Sequence, residues 1–318
     1  MEEKEYKYLV GVECMTFNQS KYITDALNGF VMQETNFPFV VMVVDDASTD
    51  GEQEVIRQFV EDQFDLGDTN TAYEKETDYA HITYAQHKTN KNCYFAVLYL
   101  KENHYSQNKD KLQYLEEWRE YVKYLALCEG DDYWIHPQKL QMQVKIFENN
   151  PNYTLCFHSH KTLHDKTGEI KTISQYSSDV KDVPQKDMIL GGGGFMATNS
   201  MFFPIKAIQK YPKWATEAPI GDLPLMLVLM HRGKTYYINQ NMSIYRINAL
   251  GSWTSKNISN FKRQKKHHYA IIKLWKEFNL WTNKKYNTTI RQKIIINKKE
   301  YFKLYINSFI KYLLIFKN

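Results

Sequence analysis

Three carboxylates close an apolar run in the stretch YVKYLALCEGDDYW, residues 121 to 134: Glu129, Asp131 and Asp132, followed by the aromatics Tyr133 and Trp134. Adjacent acids repel one another and resist desolvation. A fold keeps them together where water, a helix N-terminus, a cation or a reaction relieves the strain. Such a cluster suits a hard divalent cation, Mn2+ or Mg2+, held by one or two carboxylates, with its other positions left to water and the phosphates of a nucleotide diphosphate. Asp131 and Asp132 are the expected ligands. A second doublet, Asp45 and Asp46 in VVDDASTDG, ends another apolar run, and Thr16, Phe17 and Asn18 end a third. A carboxylate at a crevice edge accepts hydrogen bonds from ribose hydroxyls or a base N–H without any metal. That role falls to Asp46, with Asp45 closer to structure.

The elements that must position these residues alternate. YKYLVGVECMTF reads as a buried strand, and the segment after it repeats Ile23, Ala26, Leu27, Phe30 and Val31 at helical spacing. FPFVVMVV is a second strand. STDGEQEVIRQFVEDQF opens with a capping-box pair, Thr49 and Glu52, and sets Val55, Ile56, Phe59 and Val60 on one helical face. HITYAQ reads as a third strand, LQYLEEWREYVK as a helix, YLALCEG as a fourth strand, and HPQKLQMQVKIFENNPNY as a helix with Pro137 in its first turn. This order predicts an α/β fold with a doubly wound, mostly parallel twisted sheet and helices on both faces. From about residue 153 the pattern loosens through YTLCFHSH, the run GGGGF and a mixed strand MATNSMFF, as in an attached second lobe. The polar stretch 65 to 78 reads as a loop. In open α/β sheets ligands gather at the carboxyl ends of the strands, where all three polar clusters fall.

VVMVVDDASTDG, YLALCEGDDYW and HPQKLQMQV resemble the nucleotide-sugar core of the family 2 glycosyltransferases of GT-A fold, over about residues 6 to 250. The resemblance implies an acidic Asp-x-Asp motif, here Glu129-Gly130-Asp131 followed by Asp132, with Glu in the first place. It implies nucleotide contacts at Thr16 and Asp46, and makes Lys88, Asn90 and Asn92 candidates for a donor contact. Phe17, Asn18, Asp45, Glu129 and Asp131 complete the expected nucleotide-sugar site. It further implies a general base opening a helix, and Asp222 of APIGDLPLMLVLM stands at that point; an N-cap for the same helix suits it as well. Asn199 and Trp134 are the expected acceptor contacts. The resemblance divides the chain into a transferase domain, 1–250, with a nucleotide-sugar half (6–135) and an acceptor half (136–250), and a basic, aromatic helical extension, 251–318.

With 318 residues, 43% of them hydrophobic, the chain is long enough for an ordinary globular core. Its four cysteines lack metal-type spacing, three lie in strand-like runs, and the N-terminus has no secretory pattern, all consistent with a reducing cytoplasm. No window is apolar enough to span a bilayer. The net charge of +5 is uneven, acidic over 45–79 and basic over 257–318. The tail YFKLYINSFIKYLLIFKN, with Lys303, Lys311 and Lys317, suits either an interfacial helix on the inner face of an anionic membrane or a terminal helix packed on the core. FKRQKKHHYA carries no nucleic-acid motif, and His158 and His160 lack further metal-ligand spacing. The expectation is an inverting, metal-dependent transfer of one sugar, a UDP-sugar favoured, to a saccharide acceptor. The resemblance to surface-polysaccharide enzymes (capsule, O-antigen, lipopolysaccharide) extends this to a lipid-linked acceptor. The alternatives are a sugar-phosphate nucleotidyltransferase, a receiver-type acidic pocket, or a catalytically inactive nucleotide- or sugar-binding relative.

Overall fold

The computed structural model describes residues 6–172, 176–249 and 261–315. At its centre β1 (Tyr8–Thr16) pairs in parallel with β2 (Phe39–Asp45) on one side and with β7 (Val122–Leu127) on the other; β2 in turn pairs in parallel with β6 (Cys93–Leu100). Every residue of β2, FVVMVVD, is buried, as a strand covered on both faces requires. Its side chains alternate between two cores. Val40, Met42 and Val44 join one, and Val41 and Val43 the other. The first core packs α5 (Gln185–Gly191), α7 (Asp222–Arg232), α8 (Phe261–Trp281) and α9 (Asn287–Ile315). The second packs α1 (Ile23–Val31), α2 (Glu52–Gln63) and α4 (Lys139–Asn149). The short α3 (Glu116–Arg119) and α6 (Lys213–Thr216) fill connections.

The less regular half is not a separate lobe. β9 (Tyr153–His164), β11 (Phe202–Pro204), β12 (Lys234–Ile247) and β8 (Tyr133–Trp134) continue the same sheet beyond β7, with β9 and β12 parallel and β11 antiparallel to its neighbours. β10 (Glu169–Thr172) forms a hairpin with β9. On the far side, β5 (Ala80–His87) runs antiparallel to β6 and carries β3 (Phe64–Asp65) and β4 (Tyr73–Glu76). The stretch 65 to 78 therefore includes one arm of a hairpin rather than loop alone, and CYFAVLYL, absent from the predicted strands, is the fourth central strand.

Two further expectations give way. LQYLEEWREYVK is a 3₁₀ turn, Leu112–Leu115, followed by the single turn of α3. The Thr49–Glu52 capping box does not form, because Gly51 caps α2 and the Glu52 carboxylate turns instead toward the loop after β1. Among the described residues no helix is long and apolar enough to cross a membrane.

Candidate active site

Register brings the carboxyl ends together: Thr16 of β1 pairs with Asp45 of β2, Asp45 with Tyr99 of β6, and Glu13 with Leu127 of β7. β7 ends at that pairing, and Glu129 opens the acidic loop two residues further on. Gly130 donates its N–H to the Met15 carbonyl at 3.2 Å. A β-carbon on Gly130 would overlap the Thr16 side chain and fall 2.6 Å from Gln19 Oε1, so only glycine lets the two loops touch. Asp132 then turns inward. It is buried, accepting from the Arg246 backbone N–H at 2.8 Å and from Asn199 Nδ2 at 3.0 Å. Arg246 Nη1 donates to the Asp131 carbonyl at 2.8 Å, and its Nη2 reaches Asp25. Glu129 and Asp131 remain half-buried beside each other. Burial, with Asp131 and Asp222 nearby, pushes Glu129 up to about 7, and burial also raises Asp131.

In the second doublet Asp46 is the more fully bonded carboxylate. Both Asp46 oxygens are occupied, Oδ1 by the N–H of His104 at 2.7 Å and Oδ2 by the N–H of Tyr105 at 3.1 Å and Lys111 Nζ at 3.0 Å. Asp46 thus ties down the loop that β6 delivers to this edge. Asp45 Oδ1 accepts from the Ser48 N–H at 3.0 Å and Gln53 Nε2 at 2.6 Å, whereas its Oδ2 is buried without a partner among the described residues. A cavity of about 380 Å³ opens at this edge, lined by neighbours of Asp45 such as Ser48, Gln53 and Tyr99 but not by Asp45 itself. The Thr16 hydroxyl sits between Gln19 Oε1, at 2.8 Å, and Glu52. Asn18, at φ 55°, receives the Thr49 N–H at 2.8 Å, and Phe17 is half-buried on the same loop.

Five expected contacts lie elsewhere. Because β5 is antiparallel, its end and the turn after it sit at the amino edge of β2, about 20 Å from Asp45 across six residues of strand. There Lys88 Nζ binds the carbonyls of Glu61 and Asp62 at 2.9 and 2.8 Å, and Asn90 Nδ2 those of Val31 and Gln33 at 3.0 and 2.8 Å. Both close helix ends and cannot reach a donor, and Asn92 likewise binds the Thr35 carbonyl at 2.6 Å. Trp134 and Asn199 are fully inside the protein. The Trp134 indole N–H donates to the Asn199 carbonyl at 2.9 Å, and Asn199 Oδ1 accepts from Ser243 at 2.8 Å. They brace the acidic loop rather than meet an acceptor.

Asp222 opens α7 with Gly221 as the cap, and its Oδ1 accepts the Leu223 N–H at 2.7 Å. Burial raises its pKa, and it lies near enough to Glu129 for its charge to raise that carboxyl as well. A β-carbon on Gly193 would lie 3.9 Å from Leu223 and 4.0 Å from Ile220 at this start, in ordinary contact, while Gly192, at φ 67°, leaves room for the buried Lys293 of α9. His158 and His160 are buried on β9, and burial holds both in the neutral form. Arg246, Gln19, Glu52 and the loop 103–111 were not found by sequence reasoning. Only Arg246, a lone cation on a buried strand, left a signal there.

The donor set can be tested for a cation. Among the described residues no three His, Cys, Asp or Glu side chains converge, and the Asp132 oxygens already serve the loop. Glu129 and Asp131 are the two carboxylates left at the mouth, both half-buried and both raised by burial despite the nearby Arg246 charge at Asp131. Two oxygen ligands, with substrate phosphates and water, fit the way Mg2+ and Mn2+ are held. Glu129 and Asp131 therefore fit a divalent cation, and Asp132 fits less well than expected.

The chain has relatives among known proteins. The glycosyl transferase family 2 model matches residues 14–210, and the chain belongs to that family. An uncharacterised protein of Mycobacterium tuberculosis, Rv1520, is 28% identical over 255 residues, covering 77% of this chain but 61% of its own length. The chain thus spans about three fifths of the curated relatives it matches. Two solved structures share the GT-A fold at 13% identity. S. aureus TarS 1-349, in complex with UDP-GlcNAc, has a TM-score of 0.52 over 85% of this chain and 66% of its own. The mannosyltransferase PcManGT of Pyrobaculum calidifontis, in complex with GDP-Man and Mn2+, has a TM-score of 0.50 over 93% and 74%.

Proposed function

We propose that the protein is an inverting, metal-dependent glycosyltransferase that moves one sugar from a nucleotide-diphosphate sugar to a saccharide acceptor. What supports this reading is the pairing of a two-carboxylate mouth, Glu129 and Asp131, with a third carboxylate, Asp222 at the start of α7, near enough for its charge to act on Glu129. Asp222 takes the proton of the acceptor hydroxyl as that oxygen attacks the anomeric carbon and the diphosphate leaves from the opposite side. A raised pKa moves Asp222 toward the range in which a base at near-neutral pH works well. Glu129 and Asp131 hold the divalent cation, Mn2+ or Mg2+, whose chemistry is to neutralise charge on the departing diphosphate. Asp45, with its unpartnered buried oxygen, takes the nucleoside, beside Thr16, Phe17 and Asn18. The nucleotide-sugar half is residues 6–135 and the acceptor half 136–250. A UDP-sugar donor, a lipid-linked acceptor and a place in bacterial surface-polysaccharide synthesis, in the cytoplasm, complete the reading.

Calorimetric titration with UDP, GDP and dTDP, with and without Mn2+, tests it. One nucleotide should bind at least tenfold more tightly with the metal, and Asp131→Asn should remove that gain. Asp222→Asn should lower transfer by a factor of about 10² to 10⁴ and leave nucleotide affinity unchanged. Nucleotide binding without any metal effect would remove the proposed cation, and no binding at all would remove the donor.

A further inference from the structure

The helix α9 is apolar on two sides. One side packs inward: Ile290 and Lys293 are buried, Ile294 rests on the core, and Tyr301 stacks on His268 of α8 at 4.2 Å. At 100° per residue these four positions fall in one arc. The arc centred opposite contains Ile295, Lys298, Lys299, Phe302, Lys303 and Ile306, spaced i, i+3, i+4, i+7, i+8 and i+11. Ile295, Phe302 and Ile306 are exposed at 53%, 62% and 40%, and all three lysines are exposed as well. Ile295 and Phe302 form a shallow apolar depression rimmed by Lys298, Lys299 and Lys303. The acid of this stretch, Glu300, lies off the arc.

The surroundings extend the charge. The His268–Tyr301 stack sets the beginning of α8 beside this part of α9, and Lys298 is close enough to His268 to disfavour its protonation. Lys262, Lys265 and Lys266 are exposed in that beginning, with Tyr269 exposed at 59%. Large apolar side chains ringed by lysines match a surface that is negative at its headgroups and hydrocarbon beneath. A protein partner matched to the same charge would need acids around an apolar centre. A bilayer offers both over an unlimited plane.

We propose that this outer face of α9, with the basic start of α8, seats the protein on an anionic lipid surface. Ile295, Phe302 and Ile306 enter the headgroup boundary, and Lys298, Lys299 and Lys303 meet the lipid phosphates. The attachment is peripheral and does not depend on the transfer reaction. The side chains of Lys311 and Lys317 lie outside the described residues.

The test is flotation of the full chain with vesicles of phosphatidylcholine alone and of phosphatidylcholine with one third phosphatidylglycerol. Each lysine near an anionic surface strengthens binding about fivefold, so three give about a hundredfold at low salt. Mixed vesicles should bind at least tenfold more protein than neutral ones, less so at 0.5 M salt. Lys298→Glu/Lys299→Glu/Lys303→Glu and, separately, Phe302→Ser/Ile306→Ser should each reduce binding at least tenfold, with thermal midpoints unchanged because the positions are exposed. Lys145→Glu/Lys166→Glu/Lys171→Glu makes the same change of charge elsewhere and should retain binding. Equal loss in that control, or no preference for anionic vesicles, would overturn the proposal. So would light scattering that shows a dimer abolished by Phe302→Ser/Ile306→Ser, which would give this face to a second copy.

Discussion

The backbone N–H of Arg246 donates to Asp132 at 2.8 Å while its guanidinium holds the Asp131 carbonyl at 2.8 Å, so one residue of β12 grips both ends of the doublet. Asp132 is a clamp in this arrangement. Asp132→Ala leaves the Arg246 N–H unpartnered in a buried place and takes from Asn199 Nδ2 one of its two acceptors, the Ile244 carbonyl remaining at 3.0 Å, which costs about 1–3 kcal/mol. A fall of several degrees in the midpoint of thermal unfolding is expected, measured by calorimetry. Glu129→Gln should show no such fall, since that carboxylate stands at the mouth.

The touching of the two loops at Gly130 makes its own prediction. An added methyl must displace Thr16 or Gln19, and Thr16 is pinned between Gln19 and Glu52. Gly130→Ala should weaken nucleotide binding at least tenfold in titration. Gly130→Ala combined with Gln19→Ala, which removes one of the colliding side chains, should recover part of the loss.

Lys88 and Asn90 distinguish a donor contact from a structural one. Lys88→Ala and Asn90→Ala should leave nucleotide affinity within a factor of two of the parent. Each should lower stability by about 1 kcal/mol, because each side chain satisfies two carbonyls at a helix end. Denaturant titration measures the second effect. A tenfold loss of affinity in either variant would return the residue to the donor site.

His160 gives the fold a dependence on pH. Burial lowers its pKa from 6.5 to about 4, so between those values the unfolded chain binds a proton that the folded chain refuses. The associated stability is complete above pH 6.5 and is lost as pH falls from 6.5 toward 4, at most about 3 kcal/mol for this shift. Midpoints measured from pH 7 to 4 should fall less steeply in His160→Gln than in the parent.

The acidic doublets, the strands that end in them and the helix opened by Asp222 were legible in the sequence because each couples a local apolar period to a break in it. Direction was not legible. HITYAQ has the composition of a central strand, and only the pairing of its residues with Tyr94 to Leu100 shows that it runs backward and carries Lys88 and Asn90 to the wrong edge. CYFAVLYL was hidden by its uninterrupted apolarity, which a strand and a buried helix share. Which of two adjacent acids is satisfied was equally invisible. Asp46 finds its partners 58 to 65 residues away, and Asp132 finds Arg246 at a separation of 114.

That last separation sets an order of assembly. β9 and β12 pair in parallel across the whole segment between them, and the partners of Asp132 arrive with β12 and the turn before β11. Contacts of such span close late, because the intervening chain must first lose its freedom. During synthesis, therefore, the strands that carry Thr16, Asp45 and the acidic doublet leave the ribosome well before the residue that fixes the doublet in place. A nascent chain ending before Arg246 holds every carboxylate of the mouth and still lacks its shape, which is acquired with β12.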